Sequence, residues 1–422
     1  MTQPNTNSLQ NTVAHQQLLD YLASRADTML QATRSLCEIN SGSYNLDGIE
    51  QVQQQLQQLF APLADSHRLQ PLGPLERVTD SGDVEALPLA PMQIFQSRPA
   101  APLQLLFTGH CDTVFPLSCD FQHCHIDGNR LHGPGTADMK GGLVLIAEVI
   151  RWLNQSGIRE QVGFTVAISP DEEIGSPCSG PILMQLAKQA LANASAIGMT
   201  YEPALEDGTL AGARKGSGNF AITAKGRSSH AGRAFFEGRN AVAAIAKVAS
   251  QLANLSDEDS GLSLNIGQIL GGGAVNIVPD SCICRFNVRV AEPQQQQQVL
   301  EDIHRVIDAV SQDTGVELAL HGHFNRPPKP MTAAQQRLFE ILREGGAELG
   351  LDIRWRATGG CCEGNNLAAA GLINIDTLGV RGANIHTDQE YACSDSFVER
   401  AALSIVLIQK LLKLQQEGQL PC

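Results

Sequence analysis

Leu103-Gln104-Leu105-Leu106-Phe107-Thr108-Gly109-His110 is a short apolar run that ends on a histidine, and its reading decides the fold class. Length and composition are those of a strand buried on both faces. The pattern returns downstream: Val162 to Ile168 runs into Ser169-Pro170-Asp171-Glu172-Glu173-Ile174-Gly175-Ser176, and Ala196 to Thr200 runs into Tyr201-Glu202-Pro203. Between these runs lie stretches of helical length and period, from about Met139 to Leu153 and near 178 to 190. Strands alternating with helices predict a largely parallel α/β sheet with helices on both faces. Such sheets gather ligands beyond the carboxyl ends of their strands. His110, the Asp171–Glu173 carboxylates and Glu202 all fall there, although they lie far apart in sequence.

Upstream, a helix around 14 to 36 and another from Gly48 to Leu63, with Ile49, Val52, Leu56, Leu59 and Phe60 at helical spacing, supply packing layers. Leu72 to Pro91, scattered with Pro and Gly, reads as a loop. The middle of the chain changes character. Asn219 to Lys225, Ser263 to Leu270, Cys282 to Val290 and Val316 to Leu320 read as strands; Asn240 to Leu255 and a segment opened by Pro293 to about Ser311 read as helices. The order β-α-β-β-α-β is that of a ferredoxin-like unit. Residues 214–325 are therefore expected as an inserted α+β domain between two parts of a larger one, 1–213 and 326–422. The Gln294 to Gln298 run is a solvated surface at the start of the second inserted helix, with Pro293 at its first position. From about Pro330 the α/β pattern returns, with helices at 333 to 348, 363 to 370 and 395 to 414 and short strands at 352 to 356 and 373 to 377. His386 lies in an irregular segment before the last helix.

The chain has 422 residues, more than one core usually serves. Hydrophobic residues make up 43% and charged residues 18%, as in ordinary globular proteins. A net charge of -14 and the absence of a Lys/Arg-rich stripe argue against nucleic acid as a partner. Met1 to Gln10 is polar, and no stretch has the length and apolarity of a membrane span, so the expected location is the cytoplasm, with no membrane partner. Eleven cysteines, an odd number in a long chain, are expected as reduced thiols. Cys119, His123, Cys124 and His125 have the residue types of a small zinc site, but no second half follows at finger-like spacing. A surface hairpin before the turn Asp127-Gly128-Asn129 is expected there instead.

In His110-Cys111-Asp112 an aspartate can fix the tautomer of a ligating imidazole and raise its basicity. The segment from Gly133 to Gly142 has glycines for a tight backbone path, and Asp138 within it could either ligate or cap the following helix. Three adjacent carboxylates, Asp171, Glu172 and Glu173, cost electrostatic energy unless cations compensate them or water solvates them. Solvation alone does not explain why Glu202 repeats the theme at the next strand end.

Taken together, HCDTVFP, GPGTADMKGG, DEEIGS, YEP and a distant IHTD resemble the M20 family of metallopeptidases, in the family's order and over nearly the whole chain. Ile39-Asn40-Ser41-Gly42-Ser43 and Asp376-Thr377-Leu378-Gly379 look most like its glutamate carboxypeptidase and acetylornithine deacetylase-like group. The resemblance implies a zinc-peptidase-like catalytic domain with an inserted dimerisation, or lid, domain. It makes Asp138 the bridge between two Zn²⁺ ions per subunit, with His110 and Glu202 on one ion and Glu173 and His386 on the other. Mn²⁺ or Co²⁺ also suit such ligands. Glu172 becomes the general base, and Asp112, beside the ligating His110, counts with it among the catalytic residues. His230, in Ser228-Ser229-His230-Ala231-Gly232, supports the oxyanion from the partner subunit of a homodimer. Asn276, Arg289 and Gly360 take substrate-binding roles. The implied activity is metal-dependent amide hydrolysis, carboxypeptidase-like with release of an amino acid such as glutamate, on a peptide or N-acyl amino acid. A deacylase resembling acetylornithine deacetylase or succinyl-diaminopimelate desuccinylase is the alternative, and an inactive metal- or peptide-binding relative is the reading from another class. Two departures stand out: Gly359-Gly360-Cys361-Cys362-Glu363-Gly364-Asn365 replaces G-G-x-S-D-G-N, and Asn287 stands where an aspartate is common.

Overall fold

The computed structural model describes residues 6–421. The expectation about Met1 to Gln10 falls partly on residues 1–5, outside the described residues. A six-stranded sheet runs in the order Ser66–Gln70, Met92–Ser97, Val162–Ser169, Leu103–His110, Ser195–Thr200, Asn374–Ile375. The first two strands are antiparallel additions, and the remaining pairs are parallel. The sheet is mixed and largely parallel, as the alternation of strands and helices requires. Leu103–His110 is buried along its whole length because strands flank it on both sides and helices cover both faces.

The helix Thr6–Cys37 sets Leu18, Leu22, Met29 and Leu36 into the main core beside Ile49, Val52, Leu56 and Phe60 of Leu46–Phe60. Each such fully buried side chain contributes about 1.5–3 kcal/mol. The final helix, Ser396–Gln416, packs in the same layer. No helix among the described residues is long and apolar enough to cross a membrane.

Gly216–Lys225, Ser263–Gly271, Ser281–Val290 and Glu317–Arg326 form a separate antiparallel sheet in the order second, third, first, fourth. The helices Ala241–Ala253 and Pro293–Thr314 cover one face of it. This is the ferredoxin-like arrangement, and it has its own core around Phe220, Ile222, Ile245, Phe286 and Ile303. The two connections to the larger body run side by side: Arg214 and Lys329 exchange both backbone hydrogen bonds at 2.9 Å.

Two expectations are corrected. Leu72 to Pro91 is not merely loop, because Leu75–Val78 and Val84–Leu87 pair as a hairpin. Its strands find their apolar contacts in the inserted unit, where Val78 packs with Ala221 and Ile283 and Arg285 bonds the Val78 carbonyl at 2.8 Å. Those partners are remote in sequence, so no local pattern announced them. The predicted strand at 352 to 356 is Trp355–Thr358, paired in parallel with Leu210–Arg214.

Candidate metal centre

Register places the candidate ligands. His110 ends its strand opposite Ser169, and Thr108 stands opposite Thr200, so His110, the acidic loop after Ser169 and Glu202 emerge from one edge of the sheet. Asp138 reaches the same edge from the turn before the helix Gly141–Gln155. Gly135 in that turn has φ 76°, which favours glycine. A Cβ on Gly142 would stand 2.1 Å from the Tyr201 carbonyl, so only glycine lets the helix start this close to Glu202. Asp138 does not cap the helix; its carboxylate points away into the site.

His110 Nε2 lies 3.1 Å from Asp138 Oδ1 and 3.8 Å from Glu202 Oε1. On the other side, His386 Nε2 lies 3.2 Å from Asp138 Oδ2 and 3.3 Å from Glu173 Oε2. Asp138 thus offers one oxygen to each of two donor sets, His110–Asp138–Glu202 and Asp138–Glu173–His386, whose ligand atoms lie within 4.8 Å of one another in each set. These are the only such groups of three or more His, Cys, Asp or Glu among the described residues. Cys119, His123, Cys124 and His125 do not converge. His123 bonds Glu38 at 3.0 Å, His125 stacks on His132, and the turn at 128 lies within the hairpin His125–Asp127 and Arg130–His132 rather than after it.

Asp112 holds this arrangement from behind. Its backbone carbonyl accepts His110 Nδ1 at 3.0 Å, which leaves Nε2 facing Asp138 and Glu202 and available to a metal. The carboxylate accepts the backbone N–H groups of Glu172 and Glu173, both at 3.1 Å, and the Ser43 hydroxyl at 2.7 Å.

The electrostatics call for cations. Burial, then the Asp138 charge, pushes Glu173 up to about 8, and the same two causes raise Glu202. Glu202 Oε1 is buried without a hydrogen-bond partner. Hydrogen bonds to Asp138 and Glu173 push His386 up to about 11. A mixed imidazole and carboxylate set with an orphaned buried oxygen fits divalent ions of the Zn²⁺ type. Ligation requires Glu173 ionised and His386 neutral, so protons compete with metal and affinity rises with pH. A calorimetric Zn²⁺ titration is expected to release protons and to bind more tightly at about pH 8.5 than at about pH 6.5; equal affinity at both would contradict the assignment.

Glu172 belongs to neither donor set. Its Oε1 is 2.5 Å from Arg326 Nη2, which also donates to the Glu172 carbonyl at 2.6 Å and the Ser176 hydroxyl at 3.2 Å. Arg326, the last residue of the inserted sheet, escaped the sequence reading because nothing local marks its partner 154 residues away. Glu390 escaped it too. Its carboxylate accepts the N–H groups of Gly135, Ala137 and Asp138 at 3.0–3.2 Å and so shapes the Asp138 turn.

A cavity of about 490 Å³ opens over the ligands, lined among others by Glu172, Arg289, Arg326, Gly360 and Cys361. Arg289 Nε bonds Asn287 Oδ1 at 2.8 Å, so the asparagine that departs from the common aspartate orients the guanidinium without neutralising it. Cys361 and Cys362 play different parts. Both line the cavity, but the Cys361 sulfur receives Arg289 Nη1 at 3.1 Å, whereas Cys362 is buried and caps the helix Glu363–Ala369. Burial pushes Glu363, behind the site, up to about 8. His230 and Asn276 lie outside the cavity and are exposed: His230 ends the short strand Ser229–His230, paired with Ile277–Val278, and Asn276 stands in the turn just before that partner strand; Ala231 N bonds the Asn276 carbonyl at 2.9 Å.

A family model described as peptidase family M20/M25/M40 matches residues 106–410. Carboxypeptidase G2 of a Pseudomonas species is 26% identical over 318 residues, covering 73% of this chain and 74% of that one. Succinyl-diaminopimelate desuccinylase of Hahella chejuensis is 25% identical over 373 residues, covering 83% and 92%. Among solved structures, a metallo-carboxypeptidase from Sulfolobus solfataricus superposes with a TM-score of 0.70 at 15% identity, covering 92% of this chain and 99% of that one. A di-peptidase from Saccharomyces cerevisiae gives 0.71 at 14%, covering 94% and 98%. At those identities the structural likeness speaks to fold alone.

Proposed function

The chain belongs to peptidase family M20/M25/M40, a family of metal-dependent hydrolases, and from that premise we propose that it cleaves the amide bond of a peptide or N-acyl amino acid with a free carboxylate, releasing an amino acid such as glutamate. The observation that carries this reading is Asp138, whose two oxygens face two separate donor sets beside a Glu172 that belongs to neither and pairs with Arg326.

His110, Asp138 and Glu202 would hold one Zn²⁺, and Asp138, Glu173 and His386 the other, with Mn²⁺ or Co²⁺ as possible occupants. When bound, such a pair supplies Lewis acidity and lowers the pKa of a nearby water toward ~7. Glu172 accepts a proton from the attacking water, whose oxygen joins the acyl carbon, and returns that proton to the leaving nitrogen as the C–N bond breaks. Asp112 keeps His110 in the ligating tautomer and pins the Glu172 backbone. Arg289 and Gly360, on the cavity wall, face the substrate's carboxylate end.

His230 and Asn276 would serve the site of a second copy, since they lie outside the cavity of their own chain; light scattering that gives only the mass of one chain would remove this homodimer. In this reading residues 214–325 are the inserted unit that meets the partner. A cytoplasmic location goes with the proposal and is checked by cell fractionation.

The deciding assay strips the purified protein of metal, reloads it with Zn²⁺, and offers folyl- or dipeptidyl-glutamate beside N-acetyl and N-succinyl amino acids. Hydrolysis is expected only after reloading. Stoichiometric metal without cleavage of any amide would favour an inactive binding relative.

A further inference from the structure

Pro203, Leu205 and Ile385 wall the cavity over the ligands, and the same side chains wall a second cavity of about 640 Å³ on their outer side. Two of the shared side chains neighbour candidate ligands in the chain, Pro203 following Glu202 and Ile385 preceding His386. Parallel pairing of Ala204 and Leu205 with Arg381 and Gly382 fixes this groove's backbone. Leu205 is 44% and Ile385 39% exposed, so large apolar faces stand open to water on either side of the exit. The charged members of the outer wall, Glu206 and Asp207, are both acidic. Glu206 bonds Arg130 at 2.8 Å, and Asp207 is held below its ordinary range by the Thr209 backbone N–H and hydroxyl, then by Arg356 and Arg354. The inner cavity is lined by Arg214, Arg289, Arg326 and Arg356, of which Arg214 pairs with Asp376 and Arg326 with Glu172, while Arg289 has no carboxylate partner among the ion pairs of the described residues.

We propose that this groove is the acyl-side subsite and that it takes a bulky, uncharged apolar or aromatic acyl group; the inference rests on the amide-hydrolase reading above. A substrate whose amino-acid carboxylate lies toward Arg289 and whose carbonyl lies between Glu202 and His386 sends its acyl chain out between Leu205 and Ile385. Polarity sorts the candidates. An acetyl group leaves the groove empty, and a succinyl carboxylate finds no cation in a lining made of Pro203, Ala204, Leu205, Glu206, Asp207 and 382–385. A benzoyl or octanoyl group covers both apolar side chains without charge.

The test uses the full-length Zn²⁺-loaded protein with N-acetyl, N-succinyl, N-benzoyl and N-octanoyl derivatives of glutamate and of a neutral amino acid. In the parent, kcat/KM for the benzoyl and octanoyl substrates is expected to exceed that for the acetyl and succinyl ones by at least about tenfold. Leu205→Asp is expected to shrink that ratio toward one, and Leu205→Ala to shrink it partway, which covers the case in which the aspartate variant does not fold. Preference for acetyl or succinyl substrates, or an unchanged ratio in both variants, overturns the groove while leaving the hydrolase reading intact. Absence of cleavage across the whole series by metal-replete parent protein overturns both.

Discussion

Glu172→Gln lowers kcat by about 10²–10⁴-fold, the usual worth of a positioned acid–base group, while the protein retains its full metal content. The reason is geometric. Glu172 is held by its backbone N–H on Asp112 and by its carboxylate on Arg326, so it sits beside the donor sets without belonging to them. Glutamine keeps the size and one acceptor oxygen for Arg326 but cannot take a proton. Removing the charge also leaves a buried guanidinium without its ionic partner, which costs stability. Thermal melts of parent and variant therefore accompany the kinetics. Metal analysis that found the variant depleted would move Glu172 into the ligand set, and near-normal turnover would end its assignment as base.

Asp138→Ala removes both metal content and activity, a different signature from the loss at Glu172. Each oxygen of Asp138 faces its own histidine, Oδ1 toward His110 and Oδ2 toward His386. Alanine therefore opens both donor sets with one substitution. In the parent, a metal at about 100 times its dissociation constant stabilises the fold by about 2.7 kcal/mol. In the variant, that Zn²⁺-dependent rise in Tm is expected to vanish. Two equivalents of tightly bound metal in Asp138→Ala, measured by elemental analysis after gel filtration, would mean that the bridging geometry is not what holds the ions.

The parts of this site that could be read from residues alone share one property. His110, Glu173 and Glu202 follow strands of a parallel sheet, and parallel strands bring their carboxyl ends to one edge whatever the spacing between them. Apolar period located those strands, and the order of the inserted elements located the second unit, because both signals are local. Asp138 was legible only as an alternative between capping and ligation, since a carboxylate before a helix serves either. The chain path through Gly135 and the backbone grip of Glu390 turn it toward the two histidines. His386 had no support from pattern at all. Its loop is placed by short strands, Arg381–Ala383 and Tyr391–Cys393, that join a small sheet with Ala204–Leu205 and Arg130–His132. Strands of two or three residues carry no period to detect.

Arg326 and the hairpin Leu75–Leu87 belong to the same class of hidden feature. Each meets its partner across the junction between the larger body and the inserted unit. The sequence by itself determined the sheet, the inserted unit and the donor types, because hydrophobic period and residue chemistry act over a few neighbouring positions. Only the tertiary structure shows which carboxylate faces two donor sets, which one pairs with Arg326, and which apolar walls flank them. Those outcomes depend on distances between segments from 28 residues apart, as His110 and Asp138, to 154 or more, as Glu172 and Arg326, and the packing that sets such distances leaves no mark on either segment alone.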